Sequence, residues 1–181
     1  MKALGPRVLF GSIVLLCLVC TSLATPVSAA SVLDGTVVKI ADGDTITVLD
    51  SNKVQHRVRI AGIDAPEKGM PFGNASRKRM IELVARKEVR VEFTKYDRYG
   101  RIVGNVWVTP PDCPTCGKTL DVGLAQVTTG MAWWYRYYAH EQSAEDQGHY
   151  EFAEQEAKAK RAGLWQDKNP LPPWEYRHRG K

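Results

Sequence analysis

Histidine and cysteine are scarce in this chain, four of each in 181 residues, and their placement excludes several chemistries at once. His56, His140, His149 and His178 show no metal-ligand spacing and no nucleophile partner, which leaves surface or structural roles for them. Cys17 and Cys20 fall in an apolar N-terminal run without the preceding small residues that lipidation asks for. The remaining pair, Cys113 and Cys116, lies in the Pro-rich loop TPPDCPTCGK. Zinc needs four ligands, and no second pair completes a set. A redox CxxC opens a helix, and no helical pattern follows this one. The preferred reading is a small disulfide suited to an oxidising compartment. By chain entropy so short a closure is worth about 2 kcal/mol, a loop staple rather than a framework.

Long apolar runs are also missing. The stretch from Val8 to Val19 falls short of the roughly 20 residues that a membrane crossing needs. Lys2 and Arg7 precede it, and Ser28 and Ala30 fit a cleavage site after Ala30, so residues 1–30 read as an export signal. The expected product is periplasmic or secreted, with no stable membrane partner. Without Lys2 and Arg7 the net charge drops from +5 to +3 on 151 residues, enough chain for one domain with a real core. That mild basic excess suits a polyanionic partner but does not name one. No repeat appears, and the one biased segment is the Pro-rich basic tail 168–181, NPLPPWEYRHRGK at its end, which reads as an extended strap or a loose end. The plan is a signal (1–30), one domain (31–167) and a tail (168–181), with a monomer as the default.

What is present is a run of short alternating segments: TVVKI, TITVL, VQHRVRIA, VRVEF and RIVGNVWV. Val58 and Ile60 face one way, Arg57 and Arg59 the other, which predicts half-buried strands. Five such strands suggest a small curled barrel. Helices fill the spaces. NASRKRMIELVARKE sets Met80, Leu83 and Val84 on one face, with Asn74 or Ser76 as cap. LDVGLAQVTTG reads as a second helix closed by a left-handed Gly130. HYEFAEQEAKAKRAG is a third, pairing Glu154 with Lys158 and Glu156 with Lys160 on a solvated face and stopping at Gly163. The class is therefore α+β.

Two acidic stretches carry the chemistry. KIADGDTITVLD sets Asp42 and Asp44 around Gly43, where an Asp-Gly turn with positive φ is the simplest account. RIAGIDAPEKG ends a strand with Asp64 and Glu67, separated by Ala65 and the stiff Pro66. If TITVL and VQHRVRIA are neighbours, the four carboxylates meet at one barrel mouth. Two carboxylates 4 Å apart repel by about 4 kcal/mol at an effective dielectric of 20, so positive charge belongs there. A hard cation fits, and so do the arginines. Oxygen donors without His or Cys select calcium or magnesium, and the loop-borne carbonyls around Ala65 lean toward calcium. Arg59 and Arg101 are planar cations able to grip a phosphate in a two-point fork. Together these groups describe phosphodiester chemistry.

DGDT, then R-x-x-x-x-D-x-P-E, then D-x-Y-G-R, in that order and spacing, resemble the staphylococcal nuclease (thermonuclease) family from about Asp34 to Trp165. The resemblance implies a five-stranded OB-fold β-barrel with three helices, and calcium-dependent hydrolysis of DNA and RNA to 3′-phosphate ends. By motif position it implies Asp44, Asp64 and the Ala65 backbone carbonyl as Ca2+ ligands, with Asp42 and Glu67 acting through water. Glu67 is also the implied general base, and Arg59 and Arg101 hold the scissile phosphate. Arg98 and Tyr99 fall where the family holds a neighbouring phosphate. Arg136 and Tyr138 stand at two positions where the best-known member carries base-stacking tyrosines. Of Trp133 and Trp134, at least one is expected to be core packing. A non-catalytic OB-fold module binding single strands is the alternative.

Overall fold

The computed structural model describes residues 30–179, so the expected signal lies outside the described residues. The alternating segments form the strands they predict. β1 (Ser31–Ile40), β2 (Thr45–Leu49), β3 (Gln55–Ile60), β5 (Glu88–Tyr96) and β6 (Ile102–Val108) make one sheet in the order β3-β2-β1-β5-β6. A parallel pairing of β3 with β6, Val58 opposite Ile102, closes it into a five-stranded barrel. Closure removes the open edges a sheet would otherwise expose. Short two-residue strands are added: β4 (Ile63–Asp64) pairs with β8 (Trp133–Trp134), and β7 (Leu120–Asp121) extends β6. The sequence pattern does not show these, because two residues carry no periodicity.

Strict alternation pays out in packing: β6 reads buried at every second residue, and Val58, Val89, Val91, Ile102, Val106 and Val108 are almost fully buried. α1 (Gly73–Val84) and α2 (Val122–Thr128) cover the barrel through Met80, Leu83, Val84, Val122 and Val127. Burying each such aliphatic side chain contributes roughly 1.5–3 kcal/mol. α2 starts where Asp121 accepts hydrogen bonds from the N–H groups of Gly123 and Leu124, and Gly130 follows it at φ 65° as expected.

Four local expectations change. α1 is preceded by Phe72 at φ 63° with no side-chain cap; Ser76 is buried one turn inside the helix instead. α3 (Ala144–Ala159) begins five residues before the expected start, because Ser143 caps it through the Asp146 N–H. Glu154 does pair with Lys158, but it lies fully buried rather than on a solvated face. The C-terminal segment is neither extended nor loose: α4 (Pro173–Arg179) is a helix with Pro173 buried. Short 3-10 turns at Arg136–Glu141 and Gly163–Gln166 complete the described chain.

Candidate active site

The register of β2 against β3 builds the first half of the site. Thr45 faces Arg59 across the ladder, and the Ile60 N–H donates to the Asp44 carbonyl at 2.8 Å, so Asp44 emerges beside Arg59. The expected turn is there, closed by the Ala41 N–H to the Thr45 carbonyl at 2.9 Å between β1 and β2, but Gly43 does not have the positive φ expected of it. Its need is space: a Cβ there would lie 1.8 Å from Ser76 Oγ and 2.8 Å from Ala65 Cβ. The Gln126 amide from α2 donates to the Gly43 carbonyl at 2.7 Å and pins the loop. Asp-Gly-Asp is therefore a close-approach motif, held by both helices that cover the barrel.

The second half comes from the bend after β3. Gly62 at φ 71° turns the chain into β4, where Asp64 pairs with Trp133. The Ala65 N–H then donates to Asp44 Oδ2 at 2.9 Å, tying the two acidic stretches together. Arg59 spans them, with Nη1 2.5 Å from Asp44 Oδ2 and Nη2 2.9 Å from Asp64 Oδ1. The Nη1 contact is ionic only, since this buried nitrogen has no well-aligned hydrogen-bond acceptor. Arg101 arrives from the β5–β6 turn. Asp97 accepts from the Tyr99 N–H, the Arg101 N–H and Arg101 Nε at 2.9, 3.0 and 2.7 Å, and so fixes the direction of that guanidinium.

One cleft of about 880 Å³ contains Asp42, Asp44, Arg59, Asp64, Glu67 and Arg101, together with Arg98, Tyr99 and Tyr138. Arg136 does not line it. Its guanidinium bonds Glu154 at 2.7 Å and lies over the Trp134 ring at 4.4 Å. Trp133 and Trp134 are both buried, Trp133 packing edge-on against Trp165. Cys113 and Cys116 are joined by a disulfide with Cα atoms 5.4 Å apart, away from the cleft lining.

The electrostatics are uneven. Burial, then the charge of Asp44, pushes Asp42 up to about 7. Burial acts on Asp44 in the same direction, but Arg59 and the Ala65 N–H overcome it and hold that carboxyl below the ordinary range. Asp64 is raised, burial outweighing two guanidinium neighbours. Negative charge is in surplus at this rim.

Several cleft residues gave no signal in the sequence reading. Lys95 pairs with Glu141 and lies 5.1 Å over the Tyr138 ring. Tyr135 stacks on Trp174 of α4, and Arg177 of α4 reaches Asp64 and Glu67. Pro173 ahead of Trp-Glu-Tyr-Arg is a first-turn proline, the one sequence signal that could have announced α4.

The donor set fits a hard divalent cation: Asp44, Asp64 and Glu67 offer only oxygen, and a guanidinium already stands as a cation between Asp64 and Glu67. Among the described residues no three acidic, His or Cys side chains are drawn together in a metal-holding group, because Arg59 and Arg177 hold these carboxylates instead.

Comparison with known proteins agrees with this geometry. The family model described as staphylococcal nuclease homologue matches residues 57–167. A micrococcal nuclease from Shigella flexneri is 45% identical over 149 residues, covering 81% of this chain and 82% of the relative. Protein ParB of Escherichia coli is 42% identical, covering 80% and 79%, and an "uncharacterized endonuclease" of Escherichia coli is 40% identical, covering 85% and 90%. With that family match lying over most of β3, both helices that pin the rim and the whole of the Asp97–Arg101 turn, the chain belongs to the staphylococcal nuclease family.

Proposed function

We propose that this protein is an exported, calcium-dependent nuclease that hydrolyses phosphodiester bonds of DNA and RNA to 3′-phosphate ends, acting as a monomer. The observation that carries the reading is the convergence of Asp44, Arg59, Asp64, Glu67 and Arg101 on one cleft. Relatives named as nuclease and endonuclease support the reaction class. The N-terminal signal pattern and the Cys113–Cys116 disulfide support export.

Asp44, Asp64 and the Ala65 carbonyl would hold Ca2+, with Asp42 reaching it through water. When bound, the ion supplies Lewis-acid stabilisation of charge on the phosphoryl oxygen. The remaining work falls to side chains. Arg59 and Arg101 clamp the scissile phosphate from two elements, β3 and the β5–β6 turn, and neutralise charge that grows as water adds to phosphorus. Glu67 accepts the proton of that water, the P–O5′ bond breaks, and the departing 5′ oxygen takes up a proton. Tyr99, with Arg98 and Arg101 against its ring at 5.0 and 5.5 Å, forms a cationic aromatic wall for the neighbouring nucleotide.

Plasmid and RNA digestion with calcium, with chelator and with Glu67→Gln tests this. Chelation should abolish cleavage, and Glu67→Gln should lower the rate by about 10²–10⁴. Digestion indifferent to both rejects the proposal. Binding of single strands without turnover in calcium favours the OB-fold binding module instead.

A further inference from the structure

α4 carries a guanidinium into the place where the acidic rim needs a cation. Arg177 Nη2 lies 2.6 Å from Asp64 Oδ2, and Nη1 lies 2.7 Å from Glu67 Oε1 and 3.3 Å from Asp64 Oδ1. With Arg59 on Oδ1, both oxygens of Asp64 are then engaged. A cation approaching Asp64 Oδ2 from the cleft meets the Arg177 guanidinium first.

The helix delivering this side chain is docked. Trp174, three residues before Arg177, stacks on Tyr135 with centroids 5.2 Å apart and planes at 12°, and meets Trp133 edge-on at 6.2 Å. These aromatic contacts anchor α4 against the segment that pairs with β4, so the arginine is aimed by packing and not by its charge alone. The two arginines on Asp64 differ in freedom. Arg59 is 15% exposed and rooted in β3, whereas Arg177 is 42% exposed and sits on a terminal helix. Only the second stands beside solvent into which it can swing.

We infer that Arg177 is a built-in placeholder for the divalent cation: α4 holds its guanidinium on Asp64 and Glu67, and metal binding requires its release. This rests on the calcium reading above. The apparent calcium affinity is then lowered by the fraction of molecules in which Arg177 is engaged. The placeholder also offsets part of the rim's negative charge before metal arrives, where bare carboxylates would repel more strongly.

Calcium binding to the purified protein, read by titration calorimetry without nucleic acid, tests it. Arg177→Gln should bind calcium about tenfold more tightly than wild type, as expected if nine molecules in ten are engaged. Trp174→Ala, which undocks the helix while keeping Arg177 in the chain, should shift affinity the same way. Arg179→Gln removes the same charge from the same helix, where its partner is Glu175 at 3.9 Å, and should change affinity less than twofold. Equal calcium affinity in wild type and Arg177→Gln, weaker binding in Arg177→Gln, or equal tightening by Arg179→Gln each overturns the placeholder and leaves the calcium reading intact. Absence of calcium binding in wild type and Arg177→Gln alike overturns both.

Discussion

Asp64 at the barrel rim and Glu154 on α3 are both buried carboxylates facing two cationic side chains, and they differ in what else is near. Glu154 takes Arg136 and Lys158 at 2.7 Å each on one oxygen and the Trp134 N–H at 3.1 Å on the other. One carboxylate is matched by more than its charge, and its role is to fasten α3 to β8. Asp64 takes Arg59 and Arg177 but shares its surroundings with Asp42, Asp44 and Glu67. Its carboxyl stays raised, burial prevailing over both arginines. The same local chemistry thus serves structure where cations outnumber the carboxylate, and on the function proposed above it serves ligand binding where a surplus of negative charge is kept.

The largest effect should come from Arg59. Arg59→Ala leaves Asp44 and Asp64 buried without their shared partner, so we expect a loss of about 3–5 kcal/mol in denaturant unfolding together with loss of cleavage. Arg59→Lys keeps the charge without the planar fork; it should recover most of the stability while cleavage stays down by at least about 10²-fold. Equal recovery of both would erase the distinction between the clusters.

Next is Glu154. Glu154→Ala strands the buried Trp134 N–H and should cost about 1–3 kcal/mol, with calcium-stimulated cleavage retained at temperatures where the variant is folded. Glu154→Gln, which still offers an acceptor to that N–H, should lose less. Cleavage lost by the folded variant in proportion to Arg59→Lys would show that both clusters serve the reaction.

The smallest effect has the opposite sign. Asp42 titrates at about 7 in the fold because of burial and then Asp44, against an ordinary 3.8. The folded state keeps a proton that the unfolded chain has released, so the contribution of Asp42 to stability in chelator is present at acid pH and is lost as pH rises from about 4 through 7. Asp42→Asn removes that decline and should stabilise the chelated protein at pH 8 by roughly 1–3 kcal/mol. Thermal melts across that range check it; a variant less stable than wild type at pH 8 would mean the rim carries no surplus charge.

Some of this was plain in the residues. Val58 and Ile60 alternate against Arg57 and Arg59, and β3 follows that period. DGDT and R-x-x-x-x-D-x-P-E name carboxylates and an arginine that do meet, because they lie at the ends of adjacent strands, where register is decided by turn length and alternation. The burial of Glu154 is illegible for the opposite reason. Its spacing to Lys158 is that of any exposed helical pair, and spacing does not report which face α3 turns toward β8. Gly43 was read through the turn chemistry of Asp-Gly, whereas its neighbour Ser76 is brought there by α1.

Local sequence determined the five barrel strands, the helices α1 to α3, the acidic rim and the arginine of the β5–β6 turn, since each depends on interactions within a few residues or across one ladder. Only the tertiary structure decided that Glu154 is buried and that α4 returns to the cleft. Arg177 meets Glu67 across a separation of 110 residues, through aromatic packing of Trp174 on Tyr135 that no local period encodes. Contacts of that kind are set by how the elements pack, and packing is a property of the whole chain.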